Sequence, residues 1–188
     1  MRIYFTGTGI VSPLGCSVDS TFESIRSGRC GIGHVEEWAS VDGLSTHVAA
    51  IVKDFEPRFI PRKTRRTMSK MSQMVCMAAD EALAQAGLEP EELNERRVAL
   101  IVGSTTPSTE SLEQSFRKFH ATHSTSGQLS TTLFKGMNHS VALNLASYLS
   151  FKGRVLSPTS ACSTGAQALA LGGELIRAGV CDIAICGG

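Results

Sequence analysis

The sequence has almost no charge imbalance: 18 Lys and Arg stand against 17 Asp and Glu, for a net charge of +1. It has neither an acidic tail nor a basic arm, so the strong basic excess or stripe of a nucleic-acid binder is missing. No cationic segment followed by an apolar core of roughly 7–15 residues opens the chain, and no apolar run approaches the roughly 18 residues of a membrane span. A cytoplasmic protein with no membrane span is therefore expected. Six cysteines, at positions 16, 30, 76, 162, 181 and 186, are widely and irregularly spaced with no export signal, which points to reduced thiols rather than three disulfides. Cys181 and Cys186 have no ligand-like His nearby, so no metal site is expected there. No internal repeat, heptad or low-complexity tract stands out.

What is present reads as α/β alternation. Residues 2–11 are expected to form a buried strand, ended by the turn Ser12-Pro13-Leu14-Gly15. A helix capped by Asp19 or Ser20 then runs to Ile25 and stops at Ser27-Gly28. Residues 31–43 read as loop and 47–52 as strand. The clearest helix carries Met68, Met71, Met74, Val75, Ala78, Ala79, Ala82, Leu83 and Ala86 at three- and four-residue intervals before Gly87. Its Met-rich stripe is read as core filling rather than a cofactor site. Residues 98–102 are a continuous apolar run suited to a strand buried on both faces. The polar stretch 104–132 is expected to be loop-rich, with a short helix near 111–119. Residues 141–149 read as a helix ended by Gly153, 154–158 as a strand, 163–178 as a helix and 182–186 as a last strand.

Between the strand 154–158 and the helix after it lies Ser160-Ala161-Cys162-Ser163-Thr164-Gly165. A thiolate at a strand-to-helix turn sits where free backbone N–H groups and the positive end of the helix dipole converge, which favours the thiolate and offers donors to an oxyanion. A Cys beside Ala in an α/β protein is, however, more often a small buried hydrophobe, and the hexapeptide alone favours that reading. Gly7-Thr8-Gly9 resembles the start of a dinucleotide fingerprint, but Ser12 replaces its third glycine and Pro13 follows. The glycines are better read as allowing close backbone packing.

Three segments taken together change the weighing of Cys162. The chain opens with Ile3-Tyr4-Phe5-Thr6-Gly7-Thr8-Gly9-Ile10-Val11-Ser12-Pro13-Leu14-Gly15, carries the Cys162 hexapeptide, and closes with Asp182-Ile183-Ala184-Ile185-Cys186-Gly187-Gly188. Between them lie Phe55-Glu56-Pro57 before Arg62-Lys63-Thr64-Arg65-Arg66, then Arg97-Val98-Ala99-Leu100-Ile101-Val102-Gly103-Ser104, then residues 138–149 before Gly153. In this order the whole chain resembles the N-terminal half of the elongating β-ketoacyl-[acyl carrier protein] synthases of the thiolase superfamily.

The resemblance implies an α/β, thiolase-like half, residues 1–188, with a mixed, mostly parallel sheet of about five strands flanked by helices. It implies a transferase that joins an acyl group held on Cys162 to malonyl-[acyl carrier protein] by decarboxylative Claisen condensation, in fatty acid or polyketide synthesis, without a metal or redox cofactor. The family's two catalytic His and its Lys lie in the second half. His34, His47, His120, His123 and His139 all precede Cys162 and match none of those positions, so this chain is expected to be inactive alone. A homodimer or a ketosynthase-like heterodimer is implied. Arg62, Lys63, Arg65 and Arg66, with Arg58, form the densest positive patch. Lys63 and Arg66 match positions that help dock the acidic acyl carrier protein in relatives, whereas a second basic pair of some relatives is replaced by Ser124-Thr125-Ser126-Gly127. Two alternatives stand beside this reading. One is a noncatalytic partner like the chain-length factors, which usually lack the nucleophile; the other is a thiolase-like acyltransferase using acyl-coenzyme A. A composition of 42% hydrophobic and 19% charged residues, and an end just after an apolar strand, fit half of a larger unit.

Overall fold

The computed structural model describes residues 1–53 and 55–188. Ser17, rather than Asp19 or Ser20, caps the first helix, α1 (Val18–Arg26), in a capping box with Ser20. The region read as loop contains a short strand, β1 (Ile32–His34), which pairs antiparallel with β2 (Val48–Ala50). One helical turn, α2 (Arg62–Arg65), precedes α3 (Lys70–Ala86), which is capped by Ser69 and ends at Gly87 in the left-handed conformation with φ 64°. Next come β3 (Val98–Val102), α4 (Thr109–Thr122), α5 (Ser130–Gly136), α6 (Ser140–Tyr148), β4 (Arg154–Leu156), α7 (Thr164–Arg177) and β5 (Ile183–Gly187).

β3 lies at the centre of a parallel sheet ordered β4-β3-β5. Its side chains alternate between two apolar clusters, as period-2 geometry requires. Val98, Leu100 and Val102 pack with α3 and α6, whereas Ala99 and Ile101 pack with Ala168 of α7 and with Cys181. Burying Leu100 and Ile101, both 0% exposed, stabilises the fold by roughly 1.5–3 kcal/mol each. The three layers are thus α3 and α6, the sheet, and α7. Arg97 closes the start of the sheet by donating from Nε and Nη2 to the two carboxylate oxygens of Asp182 and from Nη1 to the carbonyl of Gly179.

Residues 2–11 are not a strand. The N–H of Thr8 donates to Gln85 Oε1 at 2.7 Å, and that of Ile10 to Glu81 Oε2 at 3.1 Å. Side chains of α3 therefore take donors that a sheet would need. A Cβ at Gly7 or Gly9 would lie 1.9 or 1.8 Å from the carbonyl of Ala82 or Ala78, so these two glycines do serve close packing, against a helix. A cavity of about 410 Å³ lies between this segment, α7 and β5. Among the described residues the strands divide into a three-stranded parallel sheet and a separate two-stranded ribbon, not one sheet of about five.

Three other expectations change. The polar region 104–132 holds the fourteen-residue α4, whose Leu112 packs against Gly136 of α5. The buried line of α3 is Ser72, Cys76, Ala79 and Leu83, while Met71 is exposed and Met68 is buried just ahead of the helix. α6 ends before Leu149, and Ser150 turns the chain with φ 51° ahead of Gly153. Among the described residues no helix is long and apolar enough to cross a membrane.

Candidate active site

Residues 157–160 leave the C-terminal end of β4 and enter a 3-10 turn, Ala161–Ser163, that runs directly into the fourteen-residue α7. Cys162 is in the middle of that turn and is exposed. In an open α/β sheet the carboxyl ends of the strands are where ligands bind, and the first-turn N–H groups of a helix lack intrahelical partners. Cys162 thus lies in the turn between a parallel strand and a helix, the local geometry expected from its sequence.

Local hydrogen bonds staple the turn. Thr164 Oγ1 accepts from the Ser160 N–H at 2.9 Å and donates to the Ala161 carbonyl at 2.8 Å. The N–H of Ser163 donates to the Ser160 carbonyl at 3.1 Å, and its hydroxyl to the same oxygen at 2.8 Å. Ala161 adopts φ 50°, a left-handed conformation unusual for a residue with a Cβ, which sharpens the strand-to-helix reversal. Glycines let the flanking backbone close in: Gly188 at the chain end packs against Gly103 and against the N–H of Gly165 in the first turn of α7. The buried hydroxyl oxygens of Ser157 and Ser160 have no hydrogen-bond partner among the described residues.

Three thiols elsewhere in the chain are drawn into the fold. Burial, assisted by Asp80, pushes Cys76 up to about 12, and burial pushes Cys186 up to about 11. Cys181 is raised by the same cause. The histidines are held in local contacts: His34 with Glu36 and His47, His47 with the Leu44 carbonyl, His120 and His123 with Phe119, and His139 with Phe134. No contact joins any of them to Cys162 among the described residues. Nor do the described residues include a group of three His, Cys, Asp or Glu able to hold a metal ion.

The basic patch is split by its backbone. Arg62, Lys63 and Arg66 are exposed. Arg65 is half-buried, with an Nε that is buried and has no hydrogen-bond partner among the described residues, and Arg58 pairs with Glu56 at 3.0 Å. The sequence groups Arg65 with its neighbours, because a one-turn helix gives no periodicity from which to tell them apart. Nor does it single out Thr164 and Ala161, whose roles depend on a local reversal that no spacing announces.

A family model described as the β-ketoacyl synthase N-terminal domain matches residues 1–188. The chain is 32% identical over 188 residues to 3-oxoacyl-[acyl-carrier-protein] synthase 1 of Escherichia coli K12, covering 100% of this chain and 46% of that protein. It is 30% identical over 187 residues to nodulation protein E of Rhizobium leguminosarum bv. trifolii, with the same two coverages. A crystal structure of a β-ketoacyl synthase from Burkholderia phymatum STM815 matches with a TM-score of 0.83 at 30% identity, over 93% of this chain and 43% of that one. The chain spans about half the length of the curated relatives it matches. With an exposed thiol at the strand-to-helix turn, a thiolase-like α/β fold and a family match along its whole length, the chain belongs to the β-ketoacyl synthase family, in its N-terminal half.

Proposed function

We propose that this chain is the acyl-accepting half of a β-ketoacyl-[acyl carrier protein] synthase that acts in fatty acid or polyketide synthesis, with Cys162 as its nucleophile. The observation that carries the reading is the exposed Cys162 on the 3-10 turn at the start of α7, at the carboxyl end of a parallel strand. The Cys162 thiolate attacks the carbonyl carbon of an acyl-carrier thioester. Negative charge collects on the carbonyl oxygen, where the Cys162 N–H donates to it. Collapse breaks the bond to the carrier sulfur and leaves the acyl group on Cys162. Malonyl carrier protein then loses carbon dioxide, and the resulting carbanion attacks the Cys162 thioester. The products are a β-ketoacyl carrier and the regenerated thiolate. These steps balance without a metal or a redox cofactor, and the histidines that promote decarboxylation come from the family's second half.

The exposed Arg62, Lys63 and Arg66 suit electrostatic docking of an acidic carrier protein, while Arg65 is half-buried beside them. The working enzyme is a homodimer or a ketosynthase-like heterodimer in the cytoplasm. A retained thiol in this position weighs against a noncatalytic chain-length-factor role. Replacing Cys162 with Ala in the complete synthase is expected to abolish acyl transfer and condensation; unchanged condensation removes the nucleophile assignment. Residues 1–188 alone are expected to give no condensation product, and detecting one overturns that part of the reading.

A further inference from the structure

α2 is a single turn of four residues, too short to hold its own shape in water. Its neighbours must fix it. At either end an apolar peg enters the core: Ile60 is 1% exposed and Met68 is 2% exposed. Both ends of the segment also rest on one face of α6. Before it, the ring of Phe59 meets Tyr148 edge-on, with centroids 6.3 Å apart. After it, Asn144 holds Thr67, the residue following Arg66, by accepting from Thr67 Oγ1 at 2.9 Å and donating from Nδ2 to the Thr67 carbonyl at 3.1 Å. The same Nδ2 is 3.3 Å from Ser72 Oγ on α3.

Asn144 and Tyr148 are four residues apart and so share a face of the helix. Tyr148 in turn donates to Asp80 of α3 at 2.7 Å. Asn144 is 3% exposed, with its amide oxygen and nitrogen both engaged across a sequence separation of more than seventy residues. A buried amide this fully satisfied accepts only one arrangement of its partners. The backbone of Thr67 is thereby tied to α6, and the exposed Arg62, Lys63 and Arg66 stand between this tie and the Phe59–Tyr148 contact.

We propose that the Asn144–Tyr148 face of α6 is the platform that positions the basic segment for its partner, with Asn144 as the positioning residue. This rests on the reading of Arg62, Lys63 and Arg66 as the carrier-docking surface. Charged groups held in advance in their binding geometry lose less conformational freedom on association, so the platform contributes to carrier affinity without touching carrier or thioester.

The test compares two substrates of the complete synthase: an acyl-[acyl carrier protein], and a small acyl thioester that has no protein surface. Asn144→Ala, and the isosteric Thr67→Val as a milder second variant, are expected to raise KM for the carrier substrate on the order of fivefold. Turnover of the small thioester and kcat are expected to stay unchanged. The double variant Arg62→Ala/Lys63→Ala is expected to raise the carrier KM as well. If the double variant does so and neither Asn144→Ala nor Thr67→Val does, or if these two depress both substrates alike, the platform is overturned and the docking surface stands. If the double variant leaves the carrier KM unchanged, the docking surface fails and the platform falls with it.

Discussion

Gly103, just past the end of β3, faces Thr164, the first residue of α7, so closely that a Cβ on Gly103 would lie 2.2 Å from Thr164 Cγ2 and 2.1 Å from the Pro158 carbonyl. Both partners belong to the frame of the Cys162 turn. Gly103→Ala must push one of them aside, and one is backbone. It is expected to lower stability by about 1–3 kcal/mol, as overpacking does, and to slow acylation of Cys162. Chemical denaturation and a single-turnover acylation assay check the two effects.

Thr164 is the staple of that turn, so Thr164→Val keeps its shape and removes both hydrogen bonds of its hydroxyl. The Ser160 N–H then loses its acceptor, a cost of about 1–3 kcal/mol. Thr164→Val is expected to slow acylation and Thr164→Ser to keep it near the wild-type rate, whereas a purely packing role for Thr164 gives the reverse, with Val intact and Ser impaired.

Ala161 carries the left-handed backbone conformation immediately before Cys162. That conformation costs a non-glycine residue roughly 1–2 kcal/mol, so Ala161→Gly is expected to be neutral or stabilising and Ala161→Val clearly destabilising. In thermal melts Ala161→Gly is expected at or above the wild-type melting temperature and Ala161→Val below it.

Iodoacetamide at mildly alkaline pH is expected to label Cys162 and Cys30, the two exposed thiols, ahead of Cys76, Cys181 and Cys186. Burial raises all three of the latter, Cys76 to about 12 and Cys186 to about 11, which starves them of thiolate. Peptide mapping by mass spectrometry reads the order directly.

Burial raises the Asp80 carboxyl above its ordinary 3.8, with the Tyr148 hydrogen bond pulling partly back. The unfolded chain therefore loses this proton at a lower pH than the folded one. The carboxyl's contribution to stability is full below the unfolded value and is lost as pH rises through the folded value. Asp80→Asn, which keeps an acceptor for Tyr148, is expected to raise the melting temperature near neutral pH and to give no gain near about pH 4. A gain that persists at the acid end contradicts this.

Elements defined by their own residues are legible in the sequence. The run Val98-Ala99-Leu100-Ile101-Val102 announces a strand buried on both faces, and the residues around Cys162 announce a strand-to-helix turn. Elements defined by distant partners are not. Residues 2–11 have strand-like composition, but Gln85 and Glu81, more than seventy positions away, take their N–H groups. β1 is three residues long and pairs only with β2, leaving too little pattern to read. α4 hides in a Ser- and Thr-rich stretch because its Ser108 cap and its packing through Leu112 substitute for a wide apolar stripe. In the site, the thiol is visible in the sequence, whereas the half-buried Arg65 and the Thr164 staple depend on how a single turn is seated.

The most direct test is to mix the complete synthase with an acyl-[acyl carrier protein] in the absence of malonyl carrier, quench with acid, digest and weigh the peptides. The acyl mass is expected on the peptide containing Cys162 and is expected to vanish in Cys162→Ala. An acyl group on any other residue, or product formation by Cys162→Ala at the wild-type rate, would contradict the assignment of Cys162 as the nucleophile.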